Sequence, residues 1–251
     1  MLTPPEIAKK SLKIGKNKAE LSSAKMLLLG IFAGMFIALA GAGSTVGSAY
    51  GGKLVGACIF PIGLIMVVLA GSELFTGNNL MIASLFDKKI TWKKLLKNWG
   101  LVFIGNFIGA LLISFLVVYS GLLDNISDAV IETATNKANL NFMEALIRGI
   151  LCNLLVCIAV WMSFGAETLS GKVLAIFGPI MLFVFCGFEH SVANMFYGPT
   201  GIFVALKNNI TLENLNFGIF LMNNLIPVTL GNIVGGAGLV GCGYYLAYLK
   251  K

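Results

Sequence analysis

The chain has 251 residues, of which 57% are hydrophobic and only 12% charged; a soluble domain usually carries about a quarter charged residues. That composition leaves no room for a sizeable soluble domain and predicts a protein that lives mostly in a bilayer. The net charge of +7 would suit a nucleic-acid binder, but the lysines gather at a few helix ends rather than along one stripe, which excludes that partner.

A bilayer core about 30 Å thick takes roughly 20 apolar residues per helix, and six such stretches follow one another. Residues 1–25 are mostly polar and read as a cytoplasmic amphipathic segment near anionic headgroups. The first apolar run, Met26 to Ser48, lacks a small-residue cleavage site, so it reads as a retained span rather than a removable signal peptide. The others are Leu54 to Phe86, Leu95 to Gly121, Phe142 to Phe164, Val173 to Leu206 and Phe217 to Tyr248. The expected architecture is an all-α integral membrane protein with a six-helix domain over residues 26–248. Spans two and five are too long for one crossing, and each has a polar interruption two-thirds of the way along, so both are expected to be broken.

Of the 18 basic residues, 14 fall on one side of this topology, led by the N-terminal tail and the loop holding Lys88, Lys89, Lys93, Lys94 and Lys97. The positive-inside rule then puts both termini in the cytoplasm of a multi-pass cell-membrane protein. The acidic loop with Asp124, Asp128 and Glu132 faces outward. The five cysteines all lie within apolar runs and form no CxxC pair, so neither a disulfide framework nor a metal site is expected.

Six spans divide into two halves of three, about 26–121 and 142–248, and an odd number per half makes them point in opposite directions. A GxExxxxN pattern occurs at Gly71, Glu73 and Asn78 and again at Gly187, Glu189 and Asn194; a GNxxG pattern occurs at Gly105, Asn106 and Gly109 and again at Gly231, Asn232 and Gly235. A 3+3 inverted repeat is the reading. Unpaired backbone in hydrocarbon costs several kcal/mol per group, so Glu73 and Glu189, with Asn78 and Asn194, are expected to anchor the breaks of their own halves. The other possibility is that the two glutamates pair with each other across the bundle.

At these breaks the sequence resembles the formate/nitrite transporter family of anion channels. Leu69 to Gly77 (LAGSELFTG) is similar to that family's first signature, Gly149 to Ala159 (GILCNLLVCIA) to its second, and Gly187 to Asn194 (GFEHSVAN) to its broken fifth helix. The resemblance implies a homopentamer of aquaporin-like protomers, each with its own pore. It also implies passage of small monovalent weak-acid anions such as formate, nitrite or hydrosulfide, with no cofactor. By position it assigns His190 as the central pore histidine, Thr76 as its partner across the pore, Asn153 as a polar residue near it and Lys137 as a vestibule lysine. Phe60, Val156 and Phe183 resemble the outer apolar constriction, and Leu64, Leu74 and Phe75 the inner one.

His190 is the only histidine. An ionisable group inside a span points to function, although a helix-to-helix hydrogen bond is the simpler role. Lys137 has an alternative too, as a solvated loop lysine balancing Asp128 and Glu132. An apolar ring cannot replace the hydration of an anion. A weak acid that takes a proton near His190, directly or through water, crosses neutral; plain anion conduction past a charged His190 is the rival. A water or glycerol pore is the alternative function, but the paired Asn-Pro-Ala motifs of such pores are missing. An enzyme is not expected: His190 and Ser191 point about 100° apart on a helix, and neither GxSxG nor HExxH occurs.

Overall fold

The computed structural model describes residues 1–250. Those residues form helices and connecting turns, with no strand among them. An amphipathic helix, α1 (Pro4–Ala19), precedes the first long apolar helix, α2 (Ser23–Gly51). Two short helices, α3 (Lys53–Ile59) and α4 (Pro61–Ala70), run on from each other and stop at Gly71. After a gap the chain resumes as α5 (Phe75–Asn78), a 3-10 turn (Asn79–Met81) and α6 (Ile82–Phe86). The long α7 (Trp92–Tyr119) ends the first half.

The second half repeats this order. Helix α8 (Ser127–Ala138) precedes α9 (Phe142–Gly165), and α10 (Leu169–Cys186) stops at Gly187. The chain resumes as α11 (Ser191–Lys207). A final helical rod over Phe217–Tyr248 comprises α12 (Phe217–Phe220), α13 (Ile226–Ile233) and α14 (Gly243–Tyr248), joined by π-helical turns at Leu221–Leu225 and Val234–Cys242. Six helical segments are long and apolar enough to cross a membrane. The loop expected around Lys137 is a helix instead, and Lys137 sits in the last turn of α8.

Both interruptions start in the same way. Gly71 has φ 77° and Gly187 φ 74°, a left-handed conformation that a side chain opposes and glycine adopts freely. The next amide reaches back five residues: Ser72 N donates to Val67 O at 2.9 Å, and Phe188 N to Phe183 O at 3.0 Å. The helix therefore stops with its last carbonyls partly satisfied, and the chain is released in extended form toward the core.

The two halves also share a crossing. Helix α2 lies against α7 so closely that a Cβ on Gly105 would sit 2.6 Å from Leu27 O; α9 lies against α13 so that one on Gly231 would sit 2.2 Å from Leu146 O. Only glycine permits backbones this close. Both contacts fall on the GNxxG patterns, whose asparagines are thereby brought against the two breaks.

Candidate functional site

Two of the protein's cavities are lined by buried ionisable residues, and no residue lines both. One, of about 220 Å³, is lined by Lys18, Glu73, Leu64, Leu74 and Asn78 among others. The second, of about 350 Å³, is lined by Lys137, Glu189, His190, Phe60, Phe183 and Tyr197 among others. Phe60 and Leu64 lie one helical turn apart, yet each faces a different cavity. The partition between the cavities is therefore thin and apolar.

Thr76 is fully buried and lines neither cavity, but it meets His190, which lines the second, with Thr76 Oγ1 2.9 Å from His190 Nε2. Each lies in the first residues of the helical run that follows a break. His190 caps α11: its Nδ1 accepts from Ala193 N at 3.0 Å. A neutral imidazole has one donor and one acceptor nitrogen, so Nε2 carries the proton and donates to Thr76 Oγ1. The Thr76 hydroxyl keeps its own proton for another acceptor. The Phe183 ring stacks on His190 with centroids 5.8 Å apart, and Phe60 meets Phe183 edge-on at 5.7 Å.

Each cavity also contains a buried carboxylate on a lysine. Glu189 Oε1 and Oε2 take Lys137 Nζ at 2.8 and 3.0 Å, and Asn194 Nδ2 and Asn224 Nδ2 donate to Oε2 at 2.7 and 3.2 Å. Glu73 Oε1 takes Lys18 Nζ at 2.7 Å, and Asn78 Nδ2 donates to Oε2 at 2.7 Å. Lys137 is thus no solvated loop lysine. The glutamates do not pair with each other, nor do their carboxylates bind the broken backbone as expected.

That task falls to Asn106 and Asn232, which the motif contained but the sequence reading did not assign. Asn106 Oδ1 accepts from Phe75 N at 2.9 Å, while its Nδ2 donates to Glu73 O at 2.9 Å and Gly30 O at 2.7 Å. Asn232 does the same for Ser191 N at 2.9 Å, Glu189 O at 3.0 Å and Gly149 O at 2.8 Å. Glu73 N and Glu189 N donate to Leu29 O and Arg148 O. A carboxylate only accepts, so it could have met the amides of Phe75 and Ser191 but not the carbonyls of Glu73 and Glu189. Lys18 was missed as well. Its signal was the repeat itself, since Lys18 precedes Glu73 by 55 residues and Lys137 precedes Glu189 by 52.

Asn153 is fully buried and lines neither cavity. Its Nδ2 is engaged by Asn232 O at 2.7 Å, Thr76 O at 3.3 Å and Asn79 Oδ1 at 3.4 Å. It braces the segment carrying Thr76 and is not placed to hold a substrate. Phe75 and Val156 also line neither cavity. Phe75 is turned onto Phe103 and Trp99, at 5.0 and 6.1 Å between centroids, and Val156 is buried in the core.

Comparison with known proteins supplies a frame for this geometry. The family described as formate/nitrite transporter matches residues 5–246. The formate channel FocA of Escherichia coli strain K12 is 39% identical over 100% of this chain and 96% of its own length. The uncharacterized transporter YrhG of Bacillus subtilis strain 168 is 42% identical over 99% of this chain and 94% of its own. Among solved structures, a pentameric formate channel with formate bound superposes with a TM-score of 0.79 at 37% identity, covering 91% of this chain and 98% of that one. An ion channel of the same family gives 0.84 at 27% identity, covering 96% and 98%.

Proposed function

The chain belongs to the formate/nitrite transporter family and is a channel for small anions, and from that premise we propose that it carries weak-acid anions of the formate, nitrite or hydrosulfide class across the apolar partition in neutral form. The observation that carries this reading is the thinness of that partition, crossed in one turn from Phe60 to Leu64, beside which His190 bonds to the buried Thr76. Removing an ion fully from water costs several kcal/mol even after the surroundings relax. Phe60, Phe183, Leu64 and Leu74 offer nothing to repay that. A protonated weak acid avoids it and still needs hydrogen-bond partners, which the Thr76 hydroxyl and the His190 ring supply.

The anion is drawn in by Lys137 on one side and Lys18 on the other, each tempered by its glutamate. The N-terminus of α11 lies at the partition and adds a partial positive charge. The anion takes a proton from the water of the vestibule beside His190, whose own proton stays on Nε2, crosses the partition as the neutral acid, and returns that proton to water in the opposite vestibule. The same reading places residues 1–25 and both termini in the cytoplasm of the cell membrane, makes the halves 26–121 and 142–248 an inverted repeat, and assembles five copies. The similar solved formate channel is a pentamer, and the lysine distribution supports the orientation. The water or glycerol pore loses ground to the anion-channel relatives, and the channel family is not an enzyme family.

Proteoliposomes presented with formate and with chloride test this directly. Chloride is similarly small, but as the anion of a strong acid it cannot be neutralised at the partition. Formate uptake with chloride excluded is expected; chloride entering as fast as formate would overturn the neutral-passage reading.

A further inference from the structure

The turn that joins α6 to α7 and the first two turns of α7 carry five exposed lysines, Lys88 and Lys89 in the turn and Lys93, Lys94 and Lys97 in the helix. Lys89 has one ion-pair partner, Asp87 at 3.6 Å, and it is the only one of the five in an ion pair among the described residues. Two features show that the fold accepts a penalty to keep charge here. Lys88 has φ 57°, a left-handed conformation that L residues other than glycine and asparagine rarely adopt. Lys93 and Lys94 stand in the first turn of α7, with no acidic residue beside them, where the helix dipole already places positive charge and favours anions.

The second half supplies an internal control. After α11 the chain makes the same turn: Asn209 N donates to Leu206 O and Ile210 N to Ala205 O, as Lys88 N does to Leu85 O and Lys89 N to Ser84 O. The left-handed residue there is Asn209, with φ 55°, which tolerates that conformation. Between Asn208 and Phe217 no lysine occurs, and the one charged residue is Glu213. The turn therefore needs no lysine for its geometry.

What lies beside the cluster identifies its partner. Trp92 and Leu96 are 58% exposed, and the uncovered stripe continues down the same helix through Ile104, Ile108, Leu112 and Phe115. An apolar track for an acyl chain thus leads up to an aromatic residue and a group of cations, the arrangement that suits a lipid with a negative headgroup. We propose that this turn and the head of α7 bind an anionic phospholipid, its phosphate held by Lys88, Lys93 and Lys97 and its chain laid along the Trp92–Phe115 stripe. The site is separate from both cavities, so its test does not depend on which anion the channel carries.

The test is native mass spectrometry of the purified full chain taken from vesicles of phosphatidylcholine mixed with phosphatidylglycerol, with a photoreactive residue at Leu96 as a second readout. The wild type is expected to retain phosphatidylglycerol at least tenfold over phosphatidylcholine, and the photoadduct to be lipid. The K88N/K93Q/K97Q variant keeps the turn, since asparagine serves at position 209, and is expected to lose the preference while folding normally. Equal retention of the two lipids, a preference unchanged in the variant, displacement of the lipid by inorganic phosphate alone, or a photoadduct to a second copy of the chain would each overturn the proposal.

Discussion

Thr76 and His190 are 114 positions apart and come within a hydrogen bond of each other because each stands at the start of the helical run that follows a break. The direction of the bond follows from Ala193 N, which occupies Nδ1. Thr76→Val keeps the volume but leaves Nε2–H without its acceptor and the passage without a hydroxyl. We expect formate uptake to fall about tenfold, the equivalent of one hydrogen bond of about 1.4 kcal/mol, and Thr76→Ser to restore it; uptake by the valine variant at the wild-type rate would contradict the assignment. Lys137→Ala leaves Glu189 buried and unpaired, a loss of about 3–5 kcal/mol when one partner of such a pair is removed. Adding Glu189→Gln is expected to recover the thermal midpoint but not the uptake, which separates stability from attraction of the anion. His190 and Thr76 were legible because they lie inside dense motifs, whereas only its spacing from Asn153 pointed to Lys137. Lys18 was not legible, because it lies in a polar tail whose position in the fold no local pattern reveals.

At the scale of elements, the breaks themselves were readable from the length of two spans and from Gly71 and Gly187. What satisfies them was not. The donors and acceptors of Asn106 lie 31, 33 and 76 positions from it in the chain, and only the close packing of α7 on α2 brings them together. Glutamate was the more conspicuous residue at the break, yet an acceptor cannot serve Glu73 O or Glu189 O. Asn232→Leu would leave the Ser191 amide and the Glu189 carbonyl at the break without their side-chain partner, each worth about 1–3 kcal/mol when buried. A clear fall in thermal midpoint is expected from it, while Asn216→Leu, at an exposed helix cap, should cost far less. The start of α1 carries the pH dependence that can be worked out. The Glu6 carboxylate accepts from Thr3 N at 2.8 Å and Thr3 Oγ1 at 2.7 Å. These bonds hold it below its ordinary value of 4.5. A lowered folded value means the cap is intact above 4.5 and is lost as pH falls through the lowered value. Hydrogen exchange in the first turn of α1 should therefore quicken only in that acid range, and Glu6→Gln should remove the dependence.

For the whole molecule, composition alone was enough to place the chain in a bilayer, because no other environment accepts so many apolar residues with so few charges. Assembly was not readable from composition or periodicity. Of the six segments long enough to span the membrane, α10 has the least internal cover, with Leu174 74% exposed and Leu182 47%. If five copies assemble, such a face suits a neighbouring subunit. Native mass spectrometry in detergent should then show five copies, and Leu182→Arg should shift the population toward single chains.

The claim on which the rest turns is that the crossing species is uncharged. Current and internal pH recorded together, on the same planar bilayer or vesicle during a formate gradient, address it without intermediaries. The account predicts one proton entering with each formate and no net current; a steady current with the internal pH unchanged would contradict it.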